Sequence, residues 1–238
     1  MSNIPVLEVF GPTIQGEGMV VGQKTMFVRT AGCDYSCTWC DSAFTWDGSA
    51  KEQIRQMGPE EIWNELVELG GGNFSHVTIS GGNPVLLKKL DAFLTLLQEK
   101  GIRTAIETQG SKWQDWLLQV DEVTISPKPP SSTMKTNFEM LDTVIHKLAG
   151  KDFSLKVVVF DEVDFEYAKE IHERYPHVPF FLQVGNDDTV TTDDTALVSR
   201  LLQKYEWLIE KAVHCKEMND AKVLPQLHAL VWGNKRGV

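Results

Sequence analysis

The chain has 238 residues, 42% of them hydrophobic and 24% charged, and its 23 Lys and Arg against 33 Asp and Glu give a formal net charge of −10. This composition excludes a disordered, collagen-like or disulfide-stapled chain, and the acidity argues against nucleic acid as a partner, because that binding draws chiefly on phosphate neutralisation. The longest apolar runs, Val157–Phe160 and Val178–Leu182, fall far short of the roughly 20 residues a membrane span needs. Residues Met1–Pro5 carry no basic-then-apolar leader. We expect no membrane partner, a cytoplasmic location and, with no linker-like stretch inside the chain, one domain over residues 1–238.

In chain order, the first predicted strand is Thr25–Arg29. A helix follows from Pro59-Glu60-Glu61, with proline in the first turn and acids at the positive end of the dipole, and Gly70–Gly72 end it. A second strand, Val77–Ser80, precedes a helix in which Leu86, Leu87, Leu90, Phe93, Leu94 and Leu97 keep helical spacing up to Gly101. Thr104–Glu107 is the third strand, Glu122–Ser126 the fourth and Leu155–Phe160 the fifth, with weaker helical segments at Trp113–Leu118 and Phe138–Leu148 between them. A helix over Asp164–Tyr175, a sixth strand Pro179–Val184 and a long helix from Asp193-Asp194 complete the series. The last helix carries Leu197, Val198, Leu201, Leu202, Tyr205 and Leu208 on one stripe.

Alternation of this kind implies an α/β fold with a largely parallel sheet and right-handed crossovers. Periodicity leaves a partial barrel and an open doubly wound sheet equally available. The polar residues are more telling: Cys33, Gly81-Gly82-Asn83-Pro84, Glu107-Thr108-Gln109-Gly110, Ser126-Pro127-Lys128 and Gln183-Val184-Gly185-Asn186 each follow a predicted strand. That is the C-terminal edge, where both architectures build their sites.

Cys33, Cys37 and Cys40 form a C-x3-C-x2-C array, and the remaining cysteine, Cys215, lies far along the chain. Close thiolates suit a soft metal centre. A closed zinc site needs four ligands, and neither Cys215 nor any histidine stands in a paired context that would supply the fourth. Three local thiolates suit a [4Fe–4S] cluster with one iron left open.

That array resembles the signature of the radical S-adenosylmethionine (SAM) superfamily, whose second mark, a Gly-Gly-Glu-Pro turn, is similar to Gly81-Gly82-Asn83-Pro84 here, with Asn83 in place of the usual Glu. Phe10–Gly18, Phe27–Cys33, Trp39–Ser42 and the tail Leu224–His228 with Trp232–Val238 resemble the 7-carboxy-7-deazaguanine synthase family. The resemblance implies a partial (β/α) TIM-like barrel of about six parallel strands, holding a [4Fe–4S] cluster, SAM and Mg2+. It implies conversion of 6-carboxytetrahydropterin to 7-carboxy-7-deazaguanine with loss of ammonia, an electron donor such as a flavodoxin, and a homodimer.

Carried over residue by residue, the resemblance assigns Cys33, Cys37 and Cys40 to the cluster and Ser42 to Mg2+, which keeps its waters and tolerates a single hydroxyl ligand. Substrate falls to Ile14, Gln15, Gly16, Glu17, Arg29 and Ser80. Arg29 is a natural bidentate partner for a carboxylate, with a surface ion-pair residue as the weaker alternative by position alone, and Gln15–Glu17 reads equally as a polar hairpin turn. SAM falls to Trp39, Cys40, Asp41, Gly82, Ser126, Pro127 and Lys128. Trp39 offers a wall for adenine or simple shielding of the cluster, and Gly82 close approach of backbone to ligand. Ser126 and Lys128 offer partners for SAM's ribose and carboxylate, or a solvated turn before Pro129-Pro130. Glu107 faces the same edge without an assigned role, Cys215 reads as a packed thiol, and Lys235-Arg236 as either a closing strap or a solvated tail. The competing functions are a glycyl-radical activase and a non-enzymatic iron–sulfur or zinc module.

Overall fold

The computed structural model describes residues 3–238. Nine strands form one open sheet: β1 (Ile4–Ile14), β2 (Lys24–Thr30), β3 (Arg55–Met57), β4 (His76–Gly81), β5 (Arg103–Thr108), β6 (Glu122–Ile125), β7 (Phe153–Val159), β8 (Phe180–Val184) and β9 (Lys222–Leu224). Their order is β3-β1-β2-β4-β5-β6-β7-β8-β9. From β2 to β9 every neighbouring pair is parallel, whereas β1 runs antiparallel to both β2 and β3. All six predicted strands are present. The additions lie at the margins: β1, which forms a hairpin with β2, and β3 beyond it on one side, and the three-residue β9 on the other.

Six helices cover the sheet: α1 (Pro59–Gly70), α2 (Asp91–Glu99), α3 (Phe138–Lys147), α4 (Glu162–Arg174), α5 (Asp194–Val213) and the short α6 (Leu227–Trp232). Their ends are set locally. The Glu61 carboxylate accepts from Gly58 N (2.6 Å), and Asn137, Asp161 and Asp193 side chains accept from Met140, Asp164 and Ala196 N at 2.9–3.0 Å.

Two predicted helices need correction. Leu86, Leu87 and Leu90 lie outside α2: Leu86 ends the 3-10 turn Pro84–Leu86, Leu87 follows it in extended conformation, and Leu90 is the N-cap of α2. The carbonyls of Val85 and Leu87 instead accept side-chain bonds from Gln114 Nε2 and Trp116 Nε1, both 2.9 Å, so tertiary donors replace the helical ladder. The segment at Trp113–Leu118 is a 3-10 turn, Asp115–Gln119, anchored by buried Trp116 and Leu117. Phe138–Leu148 is a full helix. On α5, Leu202 leaves the apolar stripe and is exposed, while Leu197, Leu201, Leu208 and Ala212 are buried.

Strand periodicity positions the site. Met26, Val28, Val77, Ile79, Ile106, Val123, Ile125, Leu155, Val157, Phe180 and Leu182 face the helices and form the main core. The alternate residues face the concave side and include Arg29, Ser80, Glu107, Lys156 and Val158, all of which line one cleft. The hairpin loop after β1 folds across that concavity. Gln15 and Gln23 close it through a 2.8 Å backbone bond, and the turn at Gly18–Val20 packs against β6, β7 and β8. No helix among the described residues is long and apolar enough to cross a membrane.

Candidate active site

The cleft, of about 280 Å³, opens at the C-terminal strand edge. The loop leaving β2 brings Cys33, Cys37 and Cys40 to it as free thiols. Each of two sulfurs already meets donors suited to a thiolate: Tyr35 N (3.4 Å) and Gln109 Nε2 (3.7 Å) on Cys33 Sγ, and the Trp46 indole N–H (3.4 Å) on Cys40 Sγ. Burial, the largest influence, raises the Cys33 thiol above its usual range and pushes Cys37 up to about 11. Three clustered thiols with outer N–H donors fit a soft cationic centre, whose binding displaces their protons. Cys215 stands elsewhere, past α5, with its thiol on Glu217 Oε2 (3.2 Å) and a different surface cleft around it. The four-thiolate arrangement is not formed.

The glycine turn after β4 packs directly on that loop. Gly81 has φ +131°, and a Cβ there would lie 2.1 Å from Thr30 O. A Cβ on Gly82 would lie 2.2 Å from Gly32 O and 3.0 Å from Cys33 Cβ. The family resemblance implies that Gly82 lets backbone approach a ligand; in the structure Gly81 admits the end of β2 and Gly82 the start of the cysteine loop. Asn83 explains its own presence. Buried, it donates through Nδ2 to Asp34 Oδ1 (2.8 Å) and Ser111 Oγ (3.0 Å), and accepts from Thr108 Oγ1 (2.8 Å). Gln109 Nε2 also donates to Asp34 Oδ1 (2.8 Å). A glutamate at 83 would set a carboxylate against Asp34. We therefore expect Asn83→Asp, nearly isosteric but anionic, to lower stability by about 2 kcal/mol or more and to weaken cluster loading, read by chemical unfolding and iron content. A variant as stable as the wild type would remove the Asn83–Asp34 contact from this explanation.

Trp39 lines the cleft with its ring 4.8 Å from that of Phe160, and its indole N–H donates to Ser131 Oγ (2.9 Å). Buried Asp164 on α4 fixes both supports, accepting from Ser131 N (3.0 Å) and Phe160 N (3.1 Å). Asp164→Ala leaves both backbone donors without that acceptor, and we expect a loss of about 2–3 kcal/mol in urea unfolding. Asp164→Asn, which keeps an acceptor oxygen, should lose less; equal losses would point to packing rather than hydrogen bonding. Lys128 also reaches the cleft and donates to Ser126 Oγ (3.1 Å). Ser126 and Pro127 are buried behind it, outside the residues that line the cleft.

Arg29 lies on the opposite wall with its Nε 2.6 Å from Glu8 Oε1 and its guanidinium 5.4 Å from the ring centres of Phe10 and Phe44. Arg236 joins it, with Nε 2.8 Å from Glu8 Oε2 and its guanidinium 3.9 Å from Phe44. The tail therefore closes the cleft rather than trailing in solvent: Gly233–Val238 all line it. Asn234 ties it down, donating to Asp188 O (2.9 Å) and Thr191 O (3.0 Å) and accepting from Asn186 Nδ2 (3.0 Å). Gly16 receives the preceding segment, since a Cβ there would meet His228 Nδ1 at 2.5 Å and Leu227 N donates to Gly16 O at 3.1 Å.

Among the remaining predicted residues, Ile14, Gln15, Gly16 and Glu17 line the cleft, as do Asp41 and Ser42 at the cysteine loop. Gln15 Oε1 folds back to accept from Gly16 N (2.8 Å) and Glu17 N (3.2 Å), and Ser42 Oγ donates to Asp41 Oδ1 (3.1 Å). Ser80 Oγ is buried on the cleft wall with no hydrogen-bond partner among the described residues. Sequence reasoning missed Glu8, Lys156, Gln226 and His228. Lys156 left a signal as a lone charge inside the apolar run Leu155–Phe160, and Gln226 and His228 lie in the tail that carries the family resemblance, though no role was assigned to them there.

Residues 27–158 match the family model described as the radical SAM superfamily. The chain is 80% identical to a 7-carboxy-7-deazaguanine synthase of Bacillus cereus over the full length of both, and 65% identical to that of Bacillus subtilis over 99% of this chain and 98% of the relative. Its fold matches the crystal structure of QueE from Escherichia coli with TM-score 0.67 at 23% identity, covering 96% of each chain. The thiol cluster, the cleft it opens on and these likenesses converge: the chain belongs to the radical SAM superfamily and, within it, to the 7-carboxy-7-deazaguanine synthases.

Proposed function

We infer that the chain is a radical SAM carbon–nitrogen lyase converting 6-carboxytetrahydropterin to 7-carboxy-7-deazaguanine, on the route to queuosine and related 7-deazaguanines. The observation that carries the reading is one cleft that joins three free thiols to a wall of charged and unpaired polar groups, in a chain of this family. Loss of ammonia balances the atoms, with no net oxidation.

Cys33, Cys37 and Cys40 would hold the [4Fe–4S] cluster, and Trp39, Asp41, Gly82 and Lys128 would border SAM. When bound, these groups supply a hydrogen-abstracting 5′-deoxyadenosyl radical. The chain's own work is placement and exclusion of water. Arg29 and Arg236, two guanidiniums on the single carboxylate of Glu8, leave a net positive wall for the substrate carboxylate. Ser80 Oγ offers its unused hydrogen bond, and the tail Gly233–Val238 caps the cleft.

Ser42 would give Mg2+ its single protein oxygen, beside the carboxylate of Asp41, with water and substrate oxygens completing the shell. Ser42→Ala should then raise the Mg2+ concentration needed for half-maximal turnover roughly 10-fold while SAM affinity holds. An unchanged Mg2+ titration would remove Ser42 as ligand. A one-electron donor is required, for which we propose a flavodoxin. We further read residues 1–238 as one domain, assembled as a homodimer in the cytoplasm, where reducing conditions keep the three thiols available.

A further inference from the structure

Lys156 is the least expected charge in the molecule. It sits in mid-strand on β7, 1% exposed, and its Nζ lies 2.6 Å from Glu17 Oε2 and 2.7 and 2.9 Å from Glu107 Oε1 and Oε2. The three residues come from the hairpin loop after β1, from β5 and from β7, and all three line the cleft. A buried ionic cluster is a poor device for stability, because apolar replacements of similar volume are often neutral or stabilising.

The arrangement has a direction. One lysine against two carboxylates leaves a net charge of −1 at this end of the cleft, whereas Arg29 and Arg236 against Glu8 leave +1 at the other. The four oxygens of Glu17 and Glu107 have more acceptor capacity than the three N–H groups of Lys156 can fill. Gln226 Nε2 takes a further position on Glu17 Oε1 (2.8 Å), and the rest faces the cleft. A pterin carries N3–H and a 2-amino group side by side on its pyrimidine edge, with its carboxylate on the other ring.

We propose that Lys156 is a positioning residue that holds Glu17 and Glu107 as a paired acceptor for the N–H donors of the pterin edge, so that the cleft's opposed charges fix which way round the substrate lies. This rests on the functional reading above and assigns Glu107 its part in it. The groups facing Glu17 are Lys156, His228 with Nδ1 3.9 Å away, Gln226, and Asp41 with an oxygen within 4.8 Å. Burial alone would raise the Glu17 carboxyl; the charges of Lys156 and His228 and the bonds from Lys156 and Gln226 outweigh it and lower it to about 2. Without the lysine, only the charge of His228 and the bond from Gln226 still oppose burial, and the carboxyl rises. Glu17 then takes up a proton as pH falls through its raised value, and a protonated carboxyl turns a donor toward the pterin's donors.

The test is equilibrium binding of 6-carboxytetrahydropterin to cluster-reconstituted, SAM-loaded protein without reductant, across pH. Wild type should bind with little pH dependence down to mildly acidic pH. Lys156→Met should bind roughly 10- to 100-fold more weakly at neutral pH and regain affinity as pH rises, with SAM affinity and iron content unchanged. Lys156→Arg should keep affinity within a few-fold and the wild-type pH profile. In turnover the Lys156→Met loss should fall mainly on KM. Wild-type affinity and a wild-type pH profile in Lys156→Met would overturn the proposal. Should that variant fail to fold, Glu107→Gln takes its place, since undiminished affinity there would overturn the proposal equally. A wild-type protein that does not bind the carboxypterin would overturn the functional reading, and this proposal with it.

Discussion

Replacing any one of Cys33, Cys37 and Cys40 by alanine should abolish the iron–sulfur absorbance of the reconstituted protein and all turnover, whereas Cys215→Ala should retain both. The expectation follows from the count of available donors. Cys33, Cys37 and Cys40 meet at one cleft, and Cys215 pairs with Glu217 at another. A cluster held by three thiolates has no spare protein ligand, so losing one leaves two and an uncompensated iron. Activity should fall by more than the ~10³-fold that loss of a single preorganised group typically costs, because the reactive species itself is no longer made. Iron content and the visible spectrum check this directly. Loss of the cluster in Cys215→Ala would restore the four-thiolate arrangement.

Gly82→Ala should be nearly as damaging, without touching a ligand. The added methyl would sit 2.2 Å from Gly32 O, a backbone atom one residue before Cys33, so neither neighbour can rotate away. Either the turn after β4 or the cysteine loop must move, and overpacking of this kind costs about 1–3 kcal/mol even where side chains yield. Asn83 N donates to Gly32 O at 2.8 Å, so the displacement carries the Asn83–Asp34 network with it. We expect a lower unfolding midpoint, poor cluster retention and SAM affinity reduced at least ~10-fold. Wild-type SAM affinity in a stably reconstituted Gly82→Ala protein would contradict the packing role assigned to this glycine.

The sheet was legible because its parallel strands obey two simple rules. Val77, Ile79, Leu155 and Val157 declare a buried, helix-covered face, and polar residues such as Ser80 and Glu107 break the pattern at the C-terminal ends. The marginal strands were not legible for physical reasons. β3 and β9 are three residues long, and β1 contains Gly11-Pro12, which punctuates a sequence pattern, yet its register shifts absorb the interruption between Phe10 and Thr13. The α2 boundary failed because Gln114 and Trp116 claim the carbonyls of Val85 and Leu87, a tertiary effect that no local window contains.

The site divides in the same way. Cys33, Cys37 and Cys40 lie within one short segment, so spacing alone displays them, whereas Trp39 and Ser42 in the same segment were singled out only through the family resemblance. Glu8, Lys156, Gln226 and Arg236 act through partners 21 to 228 residues distant, and only folding brings them together. Ser126-Pro127-Lys128 was legible as a motif at a strand end, but which of its side chains reaches the cleft was not: the chain buries Ser126 and Pro127 and brings Lys128 to the cleft.

The most direct test of the functional assignment is one anaerobic incubation of the reconstituted protein with 6-carboxytetrahydropterin, SAM, Mg2+ and a reductant, counting product, ammonia and SAM together. The expected result is 7-carboxy-7-deazaguanine with one ammonia per product, and many products per SAM consumed, since the overall rearrangement needs no net electrons. SAM cleavage with no deazaguanine formed, or a cluster-loaded protein inert toward both, would contradict the assignment of this cleft.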